Sequence, residues 1–358
     1  MSRQYKSTKW IGIVILILVI IGGVLYATLA RPAEVTVVRG YVGGEKIGLL
    51  EDEDVEKILA DRYKIRIDYA KAGSLDMVRA DLTERDFLWP SSQTALEYYQ
   101  SEHGKPMASE TILNTPIVLY TFTPVLEALT EVGMVTTQND VYYLDMVAFT
   151  ETYLVPGKKW SDLSLDLYGQ VAVDTTDPTK SNSGNMFSGL LANSLNGGSV
   201  VTEQSVDQVL PELKQIFARL GYMETSSADL FQQFLSTGYG SKTIVAGYEN
   251  QLLEFAAQHP DVWQQVKNDI VILYPNPTVW SSHVMISLSE EGNQLIHALQ
   301  DPDIKDLAWR RHGFRTGVSG TINDLDQFDV AGLPSKITHI TPMPNYAAME
   351  RIIRELGR

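Results

Sequence analysis

The feature that most constrains the fold is a junction that recurs along the chain, where a short apolar run ends in a polar loop and the loop opens a helix. The runs that predict strands cover residues 34–42, 64–69, 86–89, 170–174, 244–248 and 269–274. The helices that follow them are expected near residues 54, 77, 91, 184, 249 and 289. Strands that alternate with helices in this way are typical of an α/β fold, which we therefore predict.

The composition fits a folded body with a large core. Hydrophobic residues make up 44% of the 358 residues, and this length has room for two domains or one bilobal domain. The chain has no Cys. Disulfides, thiolate zinc sites, iron–sulfur clusters, a thiol nucleophile and a lipid-modified Cys are therefore excluded.

Near the N-terminus, Trp10–Ala30 is a run of 21 residues without a charged side chain. A helix of this length spans about 31 Å, which matches the hydrocarbon core of a bilayer. Three basic residues precede the run, so we expect residues 1–9 in the cytoplasm, a single transmembrane anchor, and the main body outside. A cleavable signal peptide ending near Ala30 is the alternative, and the length of the apolar run favours the uncleaved anchor.

The charge of the chain is unevenly distributed. The formal net charge is −15, but residues 1–32 hold four basic and no acidic side chains, so the remaining 25 basic and 44 acidic side chains carry −19. A body this acidic repels phosphate backbones and anionic lipid surfaces, and we expect no binding to nucleic acid. The net charge says little about a small ligand, whose binding depends on a few local groups.

The polar residues at the junctions are the candidate ligand contacts, because ligands of open α/β sheets bind at the carboxyl ends of strands, near helix N-termini. Ser91 and Ser92 follow the predicted strand at 86–89. The Ser-Asn-Ser-Gly loop at 181–184 places three short polar side chains at the start of a helix. Capping is the alternative role of these residues, since Ser and Asn are favoured N-caps.

Later junctions offer larger groups. Tyr248, Glu249 and Asn250 supply a ring, a carboxylate and an amide, although an acidic residue at a helix start is often only a partner of the helix dipole. The Trp-Ser-Ser sequence at 280–282 supplies an indole and two hydroxyls, although a Trp is more often part of a core. Arg315 is an anion-binding candidate, with a structural salt bridge as its alternative.

Patterns for catalysis and metal binding are absent from the sequence. It has no Gly-x-Ser-x-Gly elbow, no P-loop and no His-Glu-x-x-His, and its six His are far apart. The Asp-Leu-Asp sequence at 324–326 lacks the later ligands of a calcium loop. We therefore expect no enzymatic activity, cofactor or metal. A hydrolase that uses Glu249 or His283 is the remaining alternative, and neither residue has a partner visible in the sequence.

The junctions, in their order along the chain, resemble those of type 2 periplasmic binding proteins, the extracellular solute-binding proteins of ABC importers. The segments that carry the resemblance are 41–44, 71–74, 86–93, 177–184, 247–250, 274–283 and 312–317. The branch that looks most similar binds molybdate, sulfate or phosphate through Ser-rich loops. Two features depart from that pattern. The chain has an apolar N-terminal run in place of a lipid-bearing Cys, and Glu45 and Glu249 would repel an anion or favour a cationic or polyhydroxylated solute.

The resemblance implies two α/β lobes that close around one solute, and a monomer that delivers this solute to an ABC permease. Lobe 1 would comprise residues 33–118 and 278–358, and lobe 2 residues 119–277, with crossings near 116–120 and 274–278. The implied ligand contacts are Ser91, Ser92, Ser181, Asn182, Ser183, Gly184, Tyr248, Glu249, Asn250, Trp280, Ser281 and Ser282, with Gly44, Glu45, Ser74 and Arg315 as further candidates. A tethered sensor or envelope-complex component with the same fold is the alternative function.

Overall fold

The structure is a computed structural model that describes residues 19–21, 35–316 and 324–357. Its contacts divide the chain into two units, Met1–Thr36 and Val37–Arg358. Apart from residues 19–21, which are helical, the predicted anchor Trp10–Ala30 lies outside the described residues. Within the described part of the chain, no helix combines the length and the apolar character needed to cross a membrane. The fold described below is that of the second unit.

A mixed sheet of nine strands forms the centre of the described residues. The strands are β1 (Thr36–Val42), β2 (Ile65–Lys71), β3 (Phe87–Trp89), β4 (Ala108–Phe122), β5 (Val135–Gln138), β6 (Val141–Asp145), β7 (Val245–Tyr248), β8 (Ile270–Asn276) and β9 (Trp280–Ser287). Their order across the sheet is β2-β1-β3-β9-β4-β8-β6-β5, and β7 also pairs with β4. The β1–β3 and β6–β8 pairs are parallel, whereas β4 is antiparallel to β7, β8 and β9.

Strand β4 is shared by two parts of the sheet. Its first part, Ala108–Pro116, pairs with β9, and the stretch from Leu119 to Phe122 pairs with β8. On its other edge, residues 117–120 pair with β7. One long strand therefore connects the β1–β3–β9 part of the sheet with the β5–β8 part.

Helices and short turns cover the sheet, and many of the helices begin at a side-chain cap. Ser92, for example, accepts a hydrogen bond from Ala95 N at 3.4 Å, and Ser289 accepts one from Gly292 N at 3.1 Å. The α-helices are Ile47–Leu50, Glu53–Ile58, Asp76–Arg79, Gln93–His103, Thr123–Glu131, Met146–Phe149, Asn182–Leu195, Val206–Ala218, Ser227–Thr237, Glu249–Gln258, Pro260–Val266, Glu290–Leu299, Pro302–Arg310 and Tyr346–Leu356.

The core is divided between the two parts of the sheet. One cluster, which includes Val42 and Trp89, lies against β1, β3 and helix Glu290–Leu299. Another surrounds helix Asn182–Leu195 and includes Met349 of the C-terminal helix. That last helix packs against helices Asn182–Leu195 and Val206–Ala218, and also against Gln93–His103. The C-terminal helix therefore contacts helices from both predicted lobes.

The predicted α/β fold is confirmed, and five of the six predicted strands are present within two residues of their expected bounds. The exception is 170–174, where only Gln170 and Asp174 form isolated bridges, to Lys159 and Val245, so no ladder develops. No strand was predicted at 280–287, where the structure has β9.

Candidate ligand-binding cleft

A cleft of about 830 Å³ lies between loops from two parts of the chain. One wall is formed by residues from 43–51 and 71–76, which follow β1 and β2. The facing wall is formed by residues from 180–182 and 225–228, at the starts of two helices, and by Gln251, Glu254 and Gln258 along helix Glu249–Gln258. The cleft thus lies where strands end and helices begin, as expected for a ligand site of an α/β sheet.

Beneath the first wall lies a group of five residues that we call the lysine cluster: Glu45, Lys46, Ser91, Ser281 and His283. Lys46 Nζ is 2.5 Å from Glu45 Oε1, 2.7 Å from Ser91 Oγ and 3.2 Å from His283 Nδ1. The Ser91 hydroxyl also donates to the Glu45 carboxylate. Lys46, Ser91, Ser281 and His283 have no exposed surface. The cluster is therefore a buried polar network with one side, Glu45, at the cleft.

The charges in the lysine cluster follow from this geometry. Burial raises the pKa of Glu45, but the Lys46 ammonium and hydrogen bonds from Lys46 and Ser91 outweigh it, and the pKa falls to about 2. Burial, reinforced by the same ammonium, lowers the pKa of His283 well below its usual range. His283 is therefore neutral at pH 7. It accepts from Lys46 through Nδ1, and its Nε2 lies 3.3 Å from Ser281 Oγ. Glu45 and Lys46 are the ion pair of the cluster.

The facing segment contributes Asn182, Ser183 and Tyr248. Asn182 Nδ2 donates to the Ser91 carbonyl at 3.1 Å and to the Tyr248 hydroxyl at 3.0 Å, so one amide joins the two walls. Burial raises the pKa of Tyr248 well above its usual range, and the Glu45 carboxylate raises it further. The Tyr248 phenol is thus a neutral donor near the Glu45 carboxylate.

The local sequence explains which side chains face the lysine cluster. Side chains alternate along a strand, so Ser281 and His283 of β9 point to the cluster, whereas Ser282 points away and donates to Asn114 Oδ1 at 3.0 Å. After β3, Ser92 caps helix Gln93–His103, which leaves Ser91 to face Lys46. One serine of the Ser91-Ser92 pair therefore has the capping role and the other belongs to the site.

Glu249 and Arg315 form a second buried ion pair. Arg315 Nε and Nη2 donate to the two carboxylate oxygens of Glu249 at 2.6 and 2.8 Å, and Tyr274 donates to the same carboxylate at 2.5 Å. Arg315 also donates to the Pro334 carbonyl at 2.9 Å. Both charged side chains are occupied by these contacts, and neither residue lines the cleft.

The structure separates the predicted ligand residues into three groups. Those that line the cleft are Gly44, Glu45, Ser74, Ser181 and Asn182. Those buried just behind them, with hydrogen bonds or electrostatic contacts to the cluster or the lining, are Ser91, Ser183, Tyr248 and Ser281. The remaining candidates, which do not line the cleft, are Ser92, Gly184, Glu249, Asn250, Trp280, Ser282 and Arg315. Contact between any of these residues and a ligand stays a prediction.

The surroundings of Gly184 and Asn250 explain or qualify their place in the third group. A Cβ at Gly184 would collide with the Thr176 carbonyl oxygen, so the close packing of the helix start against Thr176 requires a glycine at this position. Both polar side-chain atoms of Asn250 are buried without a hydrogen-bond partner, while its backbone N donates to Thr115 Oγ1 at 3.1 Å.

Sequence reasoning overlooked Lys46 and treated His283 only as a possible catalytic residue. Lys46 directly follows the Gly-Gly-Glu sequence at the end of β1, and that position is the only sequence signal that could have indicated it. Among residues 19–21, 35–316 and 324–357, no group of three or more His, Asp or Glu side chains is arranged to hold a metal ion.

The fold is similar to that of several solved binding proteins. Iron-bound HitA from Pseudomonas aeruginosa matches with a TM-score of 0.54 at 10% identity, over 90% of this chain and 100% of that one. The periplasmic binding protein AfuA from Actinobacillus pleuropneumoniae, solved with fructose-6-phosphate, matches with a TM-score of 0.52 at 12% identity, over 89% and 96%. A putative extracellular solute-binding protein from Bordetella parapertussis matches with a TM-score of 0.55 at 10% identity, over 89% and 96%.

These similarities show that the chain has the fold of type 2 periplasmic binding proteins, as the order of its junctions predicts. No protein-family profile matches the sequence, and no curated protein sequence matches it. At identities of 10 to 12% the similarity establishes the fold and assigns no ligand.

Proposed function

We propose that this chain is an extracytoplasmic solute-binding protein that captures a small polar solute in the cleft and delivers it to an ABC permease. The observation that carries the proposal is the cleft of about 830 Å³, whose two walls come from different parts of the chain and are lined by polar side chains and strand-to-helix loops. A volume of this order is typical of small-molecule sites. The fold supports the same function, because it is shared with AfuA and HitA, which are named for solute or iron binding.

The mechanism we propose is closure of two lobes around the solute. Lobe 1 comprises residues 33–118 and 278–358 and lobe 2 residues 119–277, with the crossings at 116–120 and 274–278 as the hinge. The change of β4 partner between Pro116 and Leu119 supports a hinge at that point. A solute favours the closed state only to the extent that it binds both walls better there. The Asn182 amide, which already joins the walls, would strengthen that state.

The proposed location is the outer surface of the cell membrane, with Trp10–Ala30 as a single uncleaved anchor and residues 1–9 in the cytoplasm. The uncharged run and its basic flank support this topology. A monomer suits this role, because one chain contributes both walls of the cleft.

Native mass spectrometry of the purified full-length chain, followed by calorimetry with a panel of oxyanions and neutral polar solutes, tests the proposal. We expect a co-purified or added solute at one per chain. Because Ser91 belongs to the lysine cluster, Ser91→Ala should weaken binding, whereas Ser101→Ala, on the exposed side of the following helix, should not. If no solute binds, or if both variants bind like the unchanged chain, the proposed site is wrong.

A tethered sensor would bind the same solute and leave its uptake unchanged when the gene is deleted, so an uptake measurement separates the two functions. A hydrolase is disfavoured by the surroundings of its candidate residues. Glu249 is held by Arg315 and Tyr274, and His283 accepts a hydrogen bond from Lys46.

A further inference from the structure

Lys46 is a lysine with no exposed surface, which is rare for this residue type unless the charge is paired. Its ammonium has three donors, and three acceptors lie around it: the Glu45 carboxylate, the Ser91 hydroxyl and the neutral ring of His283. The Trp89 ring lies on another side, 5.6 Å from Nζ. Of these partners, only Glu45 carries a negative charge. The buried ammonium therefore depends on one carboxylate for its counter-charge.

That carboxylate is the one partner at the cleft. Glu45 lines the cleft and its side chain is 7% exposed, whereas Lys46 and His283 side chains are 0% exposed. Glu45 follows Gly44 in the short turn Gly44–Lys46, next to the open volume. The open volume of the cleft thus borders this side chain, and rotation into it would bring the carboxylate into water.

Two donors beneath the first wall, Lys46 and Ser91, hold the Glu45 carboxylate. The Tyr248 phenol belongs to the facing segment, where its hydroxyl accepts a hydrogen bond from Asn182 at 3.0 Å, and burial and the Glu45 carboxylate both raise its pKa. Hydroxyl and ammonium donors around one negatively charged group form the kind of environment that also binds a carboxylate or a tetrahedral oxyanion. The Glu45 carboxylate thus occupies a position that suits an anion from solution.

We propose that the cleft takes an anion in exchange for the Glu45 carboxylate, with Lys46 as the counter-charge for whichever of the two is bound. This inference rests on the proposed solute-binding function and adds the ligand class, a carboxylate or tetrahedral oxyanion. It also resolves the conflict between an acidic side chain in the site and an anionic ligand, because Glu45 competes with the ligand and moves away when the ligand binds. The apparent affinity of the unchanged chain is then the intrinsic affinity multiplied by the fraction of molecules in which Glu45 has left the position.

Calorimetry on the full-length chain tests the exchange, with sulfate, molybdate, phosphate and succinate as the probes at constant ionic strength. In Glu45→Gln the competing charge is gone, and we expect at least one of the four anions to bind about tenfold more tightly or better. The matched control is Glu53→Gln, which makes the same change of charge at an exposed residue that does not line the cleft. That control should change the affinity less than about threefold. In the double variant Glu45→Gln/Lys46→Met the gain should disappear.

Each outcome decides the exchange or the proposed function. A cooperative unfolding transition would show that Glu45→Gln is folded. If this folded variant binds none of the four anions more tightly than the unchanged chain, the exchange is wrong. If a neutral or cationic solute binds the unchanged chain and Glu45→Gln weakens it, the solute-binding function stands and the exchange is wrong. If neither form binds any solute of a broad panel, both proposals fail. If the double variant does not fold, the comparison of Glu45→Gln with Glu53→Gln decides alone.

Discussion

Two buried ion pairs, Glu45–Lys46 and Glu249–Arg315, show how similar chemistry serves different purposes in this molecule. In the Glu249–Arg315 pair both carboxylate oxygens are occupied, Tyr274 adds a third donor, and the side chains are 0% and 5% exposed. In the Glu45–Lys46 pair the carboxylate lines an open cleft. A fully buried ion pair can only stabilise the structure. An ion pair whose carboxylate lines a cleft can exchange that carboxylate for a ligand.

The Glu249–Arg315 pair should give the largest loss of stability. Glu249→Gln leaves the Arg315 guanidinium buried without a counter-charge, and we expect the free energy of unfolding to fall by about 3–5 kcal/mol. Urea denaturation measures this loss. Asp306→Asn, in the exposed pair with Arg310, is the matched control and should cost less than about 0.5 kcal/mol. Equal losses in the two variants would contradict a sealed structural pair.

The Glu45–Lys46 pair should give a smaller and reversible loss. Glu45→Gln keeps an acceptor near Lys46 but removes the charge, and we expect a loss of about 1–3 kcal/mol. An added anion that takes the vacated position should restore stability, by about 2.7 kcal/mol at a hundred times its dissociation constant. Thermal unfolding in sodium sulfate measures this recovery. Glu249→Gln measured in the same salt corrects for the general effect of sulfate, and an equal recovery in both variants would remove the distinction between the pairs.

The pH dependence of stability separates the Glu45 contribution further. The pKa of Glu45 is about 2 in the folded chain and near 4.5 ordinarily, so its contribution is fully present above pH 4.5 and is lost as the pH falls towards 2. The difference in the free energy of unfolding between the unchanged chain and Glu45→Gln should therefore shrink over that interval. Denaturation curves at a series of pH values test this, and a difference that stays constant down to pH 2 would contradict the ion pair.

The smallest effect concerns the amide that joins the two walls of the cleft. Asn182→Ala removes two hydrogen bonds, to the Ser91 carbonyl and the Tyr248 hydroxyl, and we expect a loss of about 1 kcal/mol in the free energy of unfolding. Asn196→Ala removes one exposed hydrogen bond at the end of the same helix and should cost less. If Asn196→Ala costs as much as Asn182→Ala, the Asn182 amide has no special role between the walls.

Much of the fold could be predicted from the sequence, because local periodicity determines where strands end and helices begin. The junctions after β1, β3 and β7 are present where the apolar runs end. The 15-residue strand β4 was recognised only at its crossing, since its last eight residues are all buried and show no alternation that would mark a strand in the sequence. The prediction of a strand at 170–174 was wrong, because only its two end residues form β-bridges.

The site was harder to predict, since its charges are paired by tertiary contacts. Glu249 and Arg315 are 66 residues apart, and the bridge between Asn114 and Arg315 brings the guanidinium to the carboxylate. No local pattern reports such a pairing. Lys46 was overlooked because a lysine in a loop is normally exposed, and only the positions of Ser91 and His283 show that it is buried.

Crystals of Glu45→Gln and of the unchanged chain, both soaked in selenate, test the central claim most directly, because selenate is a tetrahedral oxyanion and the anomalous signal of its selenium locates the bound anion. The account predicts an anomalous peak within hydrogen-bond distance of Lys46 Nζ and Ser91 Oγ in Glu45→Gln. In the unchanged chain it predicts a weaker peak at the same position, with the Glu45 carboxylate turned into the cleft where the anion is bound. A Glu45→Gln crystal with selenate bound elsewhere and none beside Lys46 would contradict the account.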